Sequence, residues 1–195
     1  LCGQDVAPSI GAIIQNTATF ESGDLANTFQ RALHLEDRPK VTHIVPGSPA
    51  QGNLQVGDVI LEVEGKPVLS GATALAEIRS AVSKATPDLP MRLRLERGGS
   101  AIDKGLVPVQ SCAYPVHYDP DHAINAYADG SAVYVTAGMM RFVENDQELA
   151  VVMGHELAHN AQRHLDAKKV NVGIGLVFDI LAAGAGVNTR GAFSE

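Results

Sequence analysis

Tryptophan is absent from this 195-residue chain, cysteine occurs twice, and charged side chains make up only 19% of it. Two cysteines, Cys2 and Cys112, are too few for a fold scaffolded by disulfides. By themselves they leave open either two buried reduced thiols or one bridge. Lys and Arg form no long run and the net charge is -7, which argues against nucleic acid as a partner. No secretory leader is visible, and the chain opens on Leu1 rather than Met, so a processed or truncated piece is expected. A charge-free membrane-spanning run is also missing. The nearest to one, Val170–Val187, carries Asp179 at its middle and four glycines, both unfavourable to a spanning helix. That tail is expected to be a core helix or a loop over a cleft, with peripheral membrane contact left open.

What is present is 45% hydrophobic, with 19 Gly and 10 Pro, a composition for a packed core with many turns. Charge divides the chain into three parts. Residues 1–33 carry one basic and three acidic groups, and 34–110 carry nine of each. Residues 111–195 carry five basic and ten acidic groups and five of the seven histidines. A balanced middle module and an acidic, histidine-bearing C-terminal part are therefore expected. A strand is predicted over Ser9–Ile14 and a helix from Asp24, with Leu25, Phe29, Ala32 and Leu33 on one face. Strands are predicted at Val41–Val45 and Val59–Val63, and a helix over Ala72–Lys84. Met91–Arg97 and Ile102–Val109, joined through Gly98-Gly99, read as a hairpin.

The middle module carries Val45-Pro46-Gly47-Ser48-Pro49-Ala50, then Leu54-Gln55-Val56-Gly57-Asp58-Val59-Ile60 and Val63-Glu64-Gly65-Lys66-Pro67-Val68. This set resembles a bacterial PDZ domain over about 75 residues. The resemblance implies a small β-barrel or sandwich with one main helix. It also implies docking of an extended peptide as an added strand. Ala32–Leu35, equated with the loop that holds the peptide carboxylate, contains no Gly, so a spacer role stands beside peptide docking.

Chemistry concentrates in Asn145–Lys169. Asn145 followed by Glu148 is a helix start, with Asp146 adding negative charge at that end. Leu149, Val152, Met153 and Leu157 form an apolar face. Inside this helix lies His155-Glu156-Leu157-Ala158-His159. Four residues advance a helix by about 400°, so the two imidazoles stand on one side, roughly 6 Å apart along the axis. Both can reach one zinc ion at about 2.0–2.1 Å. Glu156 then sits beside the first ligand, placed to take a proton from water at the metal and pass it to a leaving amine. Gly154, unfavourable in a helix interior, suggests close packing or room near the metal. His164 points away on a continuous helix, and Asp179 and Glu195 are weak candidates for a third ligand. His117 and His122 with Asp119 and Asp121 read as a solvated loop before they read as a second metal site.

Asn125–Gly130 and Ala132–Met140, followed by Glu148-Leu149-Ala150 and His155–His164, resemble the CAAX-prenyl-protease-like zinc metallopeptidases of family M48. More narrowly they resemble the soluble bacterial members with an inserted PDZ domain. The fold class this implies is α+β, with a PDZ-like module inserted into the N-terminal part of a zincin-type metallopeptidase domain. The implied boundaries are 1–33 for an N-terminal peptidase segment, 34–110 for the PDZ-like domain, and 111–195 for peptidase with the zinc helix. The resemblance implies one Zn2+ held by His155 and His159, with Glu156 as general base and the third ligand beyond Glu195. The strand around Asn125–Ala128 would supply a cleft edge that holds substrate backbone, with Asn125 and Tyr127 as substrate-binding residues, and ordinary turn and strand packing of these two stands equally beside that role. The implied activity is endopeptidase action on proteins or peptides of the bacterial periplasm or cell envelope. The alternative is a PDZ-type scaffold on a degenerate peptidase. In an envelope protein of this kind, a disulfide between Cys2 and Cys112 would close the neck of the insertion.

Overall fold

The structure is a computed structural model that describes residues 5–20, 23–86 and 88–161. It divides into two compact units, Ala7–Ser111 and Leu1–Val6 with Cys112–Glu195. Residues 7–33, assigned above to the peptidase part, thus group with the middle module. The reason is strand pairing, because the strand at 12–15 joins the sheet of that module.

The Ala7–Ser111 unit is entered through β1 (Val6–Ser9) and left through β8 (Val109–Cys112), which pair with each other. Between them run β2 (Ala12–Gln15), α1 (Asp24–Ala32), β3 (Lys40–Ile44), β4 (Val59–Val63), β5 (Lys66–Pro67), α2 (Gly71–Ser83), β6 (Met91–Arg97) and β7 (Ser100–Leu106). The strands form a sheet in the order β2-β3-β4-β6-β7, with β5 against β4. Alternation builds the core: Met91, Leu93 and Leu95 of β6 are buried while Arg92 and Arg94 are exposed. They pack with Val41, Ile60 and Leu106 over Ile78 of α2. The β6–β7 turn is Gly98-Gly99 with φ +56° and +79°, a two-residue turn whose twist matches the strands. Asp58, 1% exposed, accepts from Arg97 Nε and Nη2, each at 2.7 Å, and fixes the turn into β4 against β6.

The strand predicted over 9–14 is broken in two. Gly11 has φ +70°, and a Cβ there would lie 2.0 Å from the Cβ of Ser48. Val45 N–H and Ser48 Oγ donate to the Gly11 carbonyl, and Ala50 N–H to that of Ile10. The bend is therefore set by the 45–50 loop, which a local hydropathy pattern does not contain.

The second unit contains β9 (Val116–Asp119), β10 (Ala126–Ala128), β11 (Val133–Thr136), α3 (Ala137–Phe142) and α4 (Asp146–Ala161). Its sheet runs β10-β11-β9, with β10 antiparallel and β9 parallel to β11. Ala126, Val135, Met139 and Val152 form its core. Among the described residues no helix is long and apolar enough to cross a membrane. Val170–Val187 lies outside the described residues, as does the expected continuation of α4 to Lys169.

Candidate metal centre and peptide groove

α4 begins where its cap requires. Asn145 Oδ1 accepts from Glu148 N–H at 3.0 Å, while the Glu148 carboxylate accepts from Asn145 Nδ2 and Glu144 N–H. Its buried residues are Val152, Glu156 and Asn160, one turn apart along a single stripe. Asn160 fastens that stripe to the β10–β11 turn. Its Nδ2 donates to the Ala132 carbonyl at 2.9 Å and its Oδ1 accepts from Gly130 N–H at 2.8 Å.

Glu156 is 1% exposed. Burial pushes its carboxyl up to about 7, against the opposing effect of the Ala128 N–H that donates to it. Its Oε2 has no partner among the described residues. On the adjoining strip of α4 the half-buried rings of His155 and His159 meet edge to face, and their Nε2 atoms are 2.9 Å apart. Burial, then the neighbouring His159, lowers the His155 pKa and favours the neutral imidazole that ligates metals.

These residues fit zinc as a partial donor set. Nitrogens bound at about 2.0–2.1 Å around a tetrahedral ion stand roughly 3.3 Å apart, close to the spacing of the two Nε2 atoms. Beside them is a buried carboxylate with one oxygen unsatisfied, a group that folding alone does not favour. Among the described residues, no three His, Cys, Asp or Glu side chains gather around one point. His164, Asp179 and Glu195 lie outside the described residues. Gly154 is not a close-packing glycine, since a Cβ there would meet nothing within 4 Å. Such an approach occurs instead at Gly138 of α3, where a Cβ would lie 2.1 Å from the Ala123 carbonyl oxygen.

The other residues singled out by sequence are positioned as follows. Asn125 precedes β10, and its backbone is taken by Thr136, whose N–H and Oγ donate to its carbonyl at 3.1 and 2.6 Å. Tyr127 stacks on Tyr134 with centroids 4.8 Å apart, and its hydroxyl donates to Asp119. Ala126 and Ala128 face α4, so the Tyr127 ring lies on the opposite face, away from Glu156. His117 rests on Tyr134, and His122 lies 2.7 Å from Arg141. Cys112 is disulfide-bonded, and Cys2, the chain's other cysteine, lies outside the described residues.

Sequence reasoning did not single out the Ala128 amide or Asn160. Asn160 had a signal, because it continues the Val152–Glu156 spacing by one more turn. In the ladder, Asn125 with Thr136 and Asp129 with Ala132 exchange bonds inward, so the amides of Ala126 and Ala128 turn outward along the free side of β10.

A second concavity of about 420 Å³ lies between β2 and α2. Ile10, Ile14, Leu75, Ile78 and Val82 make its wall apolar, and Arg79 is its one charged lining residue among those described. β2 ends the sheet order, so one side of its backbone is open to a further strand. The loop at its head is Ser9–Gly11, not the 32–35 stretch read from sequence, and it does contain a glycine.

Residues 100–193 match the family described as Peptidase family M48, and residues 40–97 match the PDZ domain. A Rhizobium meliloti (strain 1021) protein named "Putative zinc metalloprotease R01501" is 37% identical over 71 residues. That stretch is 36% of this chain, and the chain spans 18% of that relative's length. Among solved structures, the HtrA3 PDZ domain bound to a phage-derived ligand is similar at 22% identity and TM-score 0.39, covering 54% of this chain and 89% of that one. A serine endoprotease from Yersinia pestis is similar at 21% identity and TM-score 0.38, covering 55% of this chain and 30% of that one.

Proposed function

We propose, from the premise that residues 100–193 belong to peptidase family M48 and residues 40–97 to the PDZ domains, that the protein is a zinc-dependent endopeptidase of the bacterial envelope. The observation that carries the reading is the pair of Nε2 atoms 2.9 Å apart beside the unpartnered Oε2 of buried Glu156. His155 and His159 would hold the ion, joined by a third ligand outside the described residues. Zinc, when bound, supplies Lewis acidity toward a peptide carbonyl and a lowered pKa for water.

The chain's own groups do the rest. Glu156 accepts a proton at Oε2 and delivers it to the departing amine. The outward amide of Ala126, on the free edge of β10, holds substrate backbone as an added strand next to that carboxylate, which the Ala128 amide fixes in place. A disulfide at Cys112 is in keeping with an oxidising compartment. The groove beside β2 supports a second function in the same protein, docking of an extended peptide.

The deciding experiment uses the full-length protein and its Glu156→Gln variant. The variant is expected to keep its zinc and lose peptide hydrolysis by roughly 10²-fold or more. Equal hydrolysis and equal biological activity in the two would replace this reading with a scaffold built on a degenerate peptidase.

A further inference from the structure

The face of the β10-β11-β9 sheet that turns away from α4 carries uncompensated negative charge. Tyr127, Tyr134 and His117 stand side by side across its three strands. The two tyrosine hydroxyls donate to carboxylates on the same face, Tyr127 to Asp119 and Tyr134 to Asp129. Among the described residues no Lys or Arg pairs with either carboxylate. Asp129 is exposed, and its donors, the Ser131 N–H first, hold its carboxyl at about 2, so it is ionised at neutral pH. Three of those donors share Oδ1, whereas Oδ2 takes the Tyr134 hydroxyl and keeps room for another donor.

β10 sets that face in register with Glu156. Ala128 N–H donates to Glu156, whose buried Oε2 is unpartnered among the described residues. In the peptidase reading, a substrate strand on the free edge of β10 bonds the outward Ala126 amide. Its residue level with Ala128 lies at the reacting carbonyl, beside Glu156, and the next residue lies level with Tyr127. Strand side chains alternate, so this neighbour turns its side chain to the face away from α4. Asp129 is two places from Tyr127 on that face, the diagonal position that a long side chain reaches. A Lys or Arg stem packs along the Tyr127 ring while its charged end meets Oδ2 of Asp129. An acidic side chain at the same position meets like charge instead.

We infer that β10 selects its substrate by charge, preferring Lys or Arg beside the residue whose carbonyl is cleaved, with Tyr127 and Asp129 as the specificity-determining residues. This rests on the peptidase reading with β10 as substrate edge, and the test separates the claims. The zinc-loaded full-length protein is incubated with a randomised decapeptide library, and cleavage sites are read by mass spectrometry. Lys and Arg should be enriched about three- to fivefold over Gln at one of the two positions adjoining the residue with the cleaved carbonyl. Asp and Glu should be depleted there, and the spread should shrink at high salt. Asp129→Asn, which keeps an acceptor for the turn, should at least halve the enrichment, and Asp119→Asn should lower it less. As a readout without hydrolysis, the best-cleaved decapeptide and its Gln-substituted twin are titrated by anisotropy with the full-length Glu156→Gln variant. The same preference is expected in affinity.

Cleavage with no charge preference at either position, or with an acidic one, would overturn the subsite and leave the peptidase reading intact. An enrichment unchanged by Asp129→Asn would overturn the assignment of Asp129. Absence of hydrolysis by the zinc-loaded protein would overturn the peptidase reading and this subsite with it.

Discussion

The backbone N–H of Ala128 donates to the carboxylate of Glu156, so the outer edge of β10 and the buried acid of α4 are one hydrogen bond apart. A strand that would hold substrate and a group that would move a proton are thereby fixed to each other. Ala128→Pro deletes that amide at an edge-strand position, where proline is tolerated. In the full-length protein, kcat is expected to fall by about tenfold or more while zinc content is retained. Metal analysis beside a peptide-hydrolysis assay checks this.

Metal content should track the imidazoles. In the full-length protein, His155→Ala and His159→Ala are each expected to abolish stoichiometric zinc, measured by mass spectrometry of dialysed samples. The 195-residue chain, in which only two ligands are identified, is expected to lose zinc to a competing chelator. Retention of one tight zinc per chain would show a third ligand within residues 162–195.

Asn160 should matter for stability more than its size suggests. Asn160→Leu strips the partner from the Gly130 N–H and one of two donors from the Ala132 carbonyl, which keeps the Asp129 N–H, where α4 meets the β10–β11 turn. A loss of about 1–3 kcal/mol is expected, from one backbone donor left unsatisfied and one acceptor losing its second bond beside a buried site. Urea unfolding of the variant beside the parent measures it.

Acid stability has a named contributor. Ser131 N–H and Oγ, Ala132 N–H and the Tyr134 hydroxyl all donate to Asp129, and hold its carboxyl at about 2 against an ordinary value near 3.8. A carboxyl lowered in the folded state adds stability above its unfolded pKa and loses it as pH falls through the folded one. The parent should therefore lose stability between roughly pH 4 and pH 2, and Asp129→Asn should lose less over that window. Unfolding midpoints recorded from pH 6 to pH 2 are the check.

The helix that carries His155 and His159 was legible in the sequence because everything that defines it is local. The Asn145–Glu148 cap, the four-residue spacing of the histidines and the apolar stripe lie within about four turns of one helix. The β6–β7 hairpin was legible for the same reason, since Gly98-Gly99 states its turn directly. What was not legible depends on distant partners. The break at Gly11 is imposed by Ser48, the grouping of residues 7–33 by pairing of β2 with β3, and the Ala128 amide acquires a role only once α4 lies beside it.

Gly11 offers a sharper test of such a distant constraint. Gly11→Ala is expected to destabilise the Ala7–Ser111 unit by about 2 kcal/mol or more, from a positive φ and a clash with Ser48 together. Thermal unfolding shows the stability loss, and weaker peptide binding should accompany it because the head of the groove is displaced.

β1 and β8 lie side by side where the chain enters and leaves the Ala7–Ser111 unit. An unstructured loop of that length would burden the flanking sequence with a closure entropy that grows with the logarithm of its length. Once folded, the segment presents its two ends as neighbouring strands, and to the residues on either side it is equivalent to a turn of a few residues. A hundred residues have been spliced into one chain at the entropic expense of a hairpin.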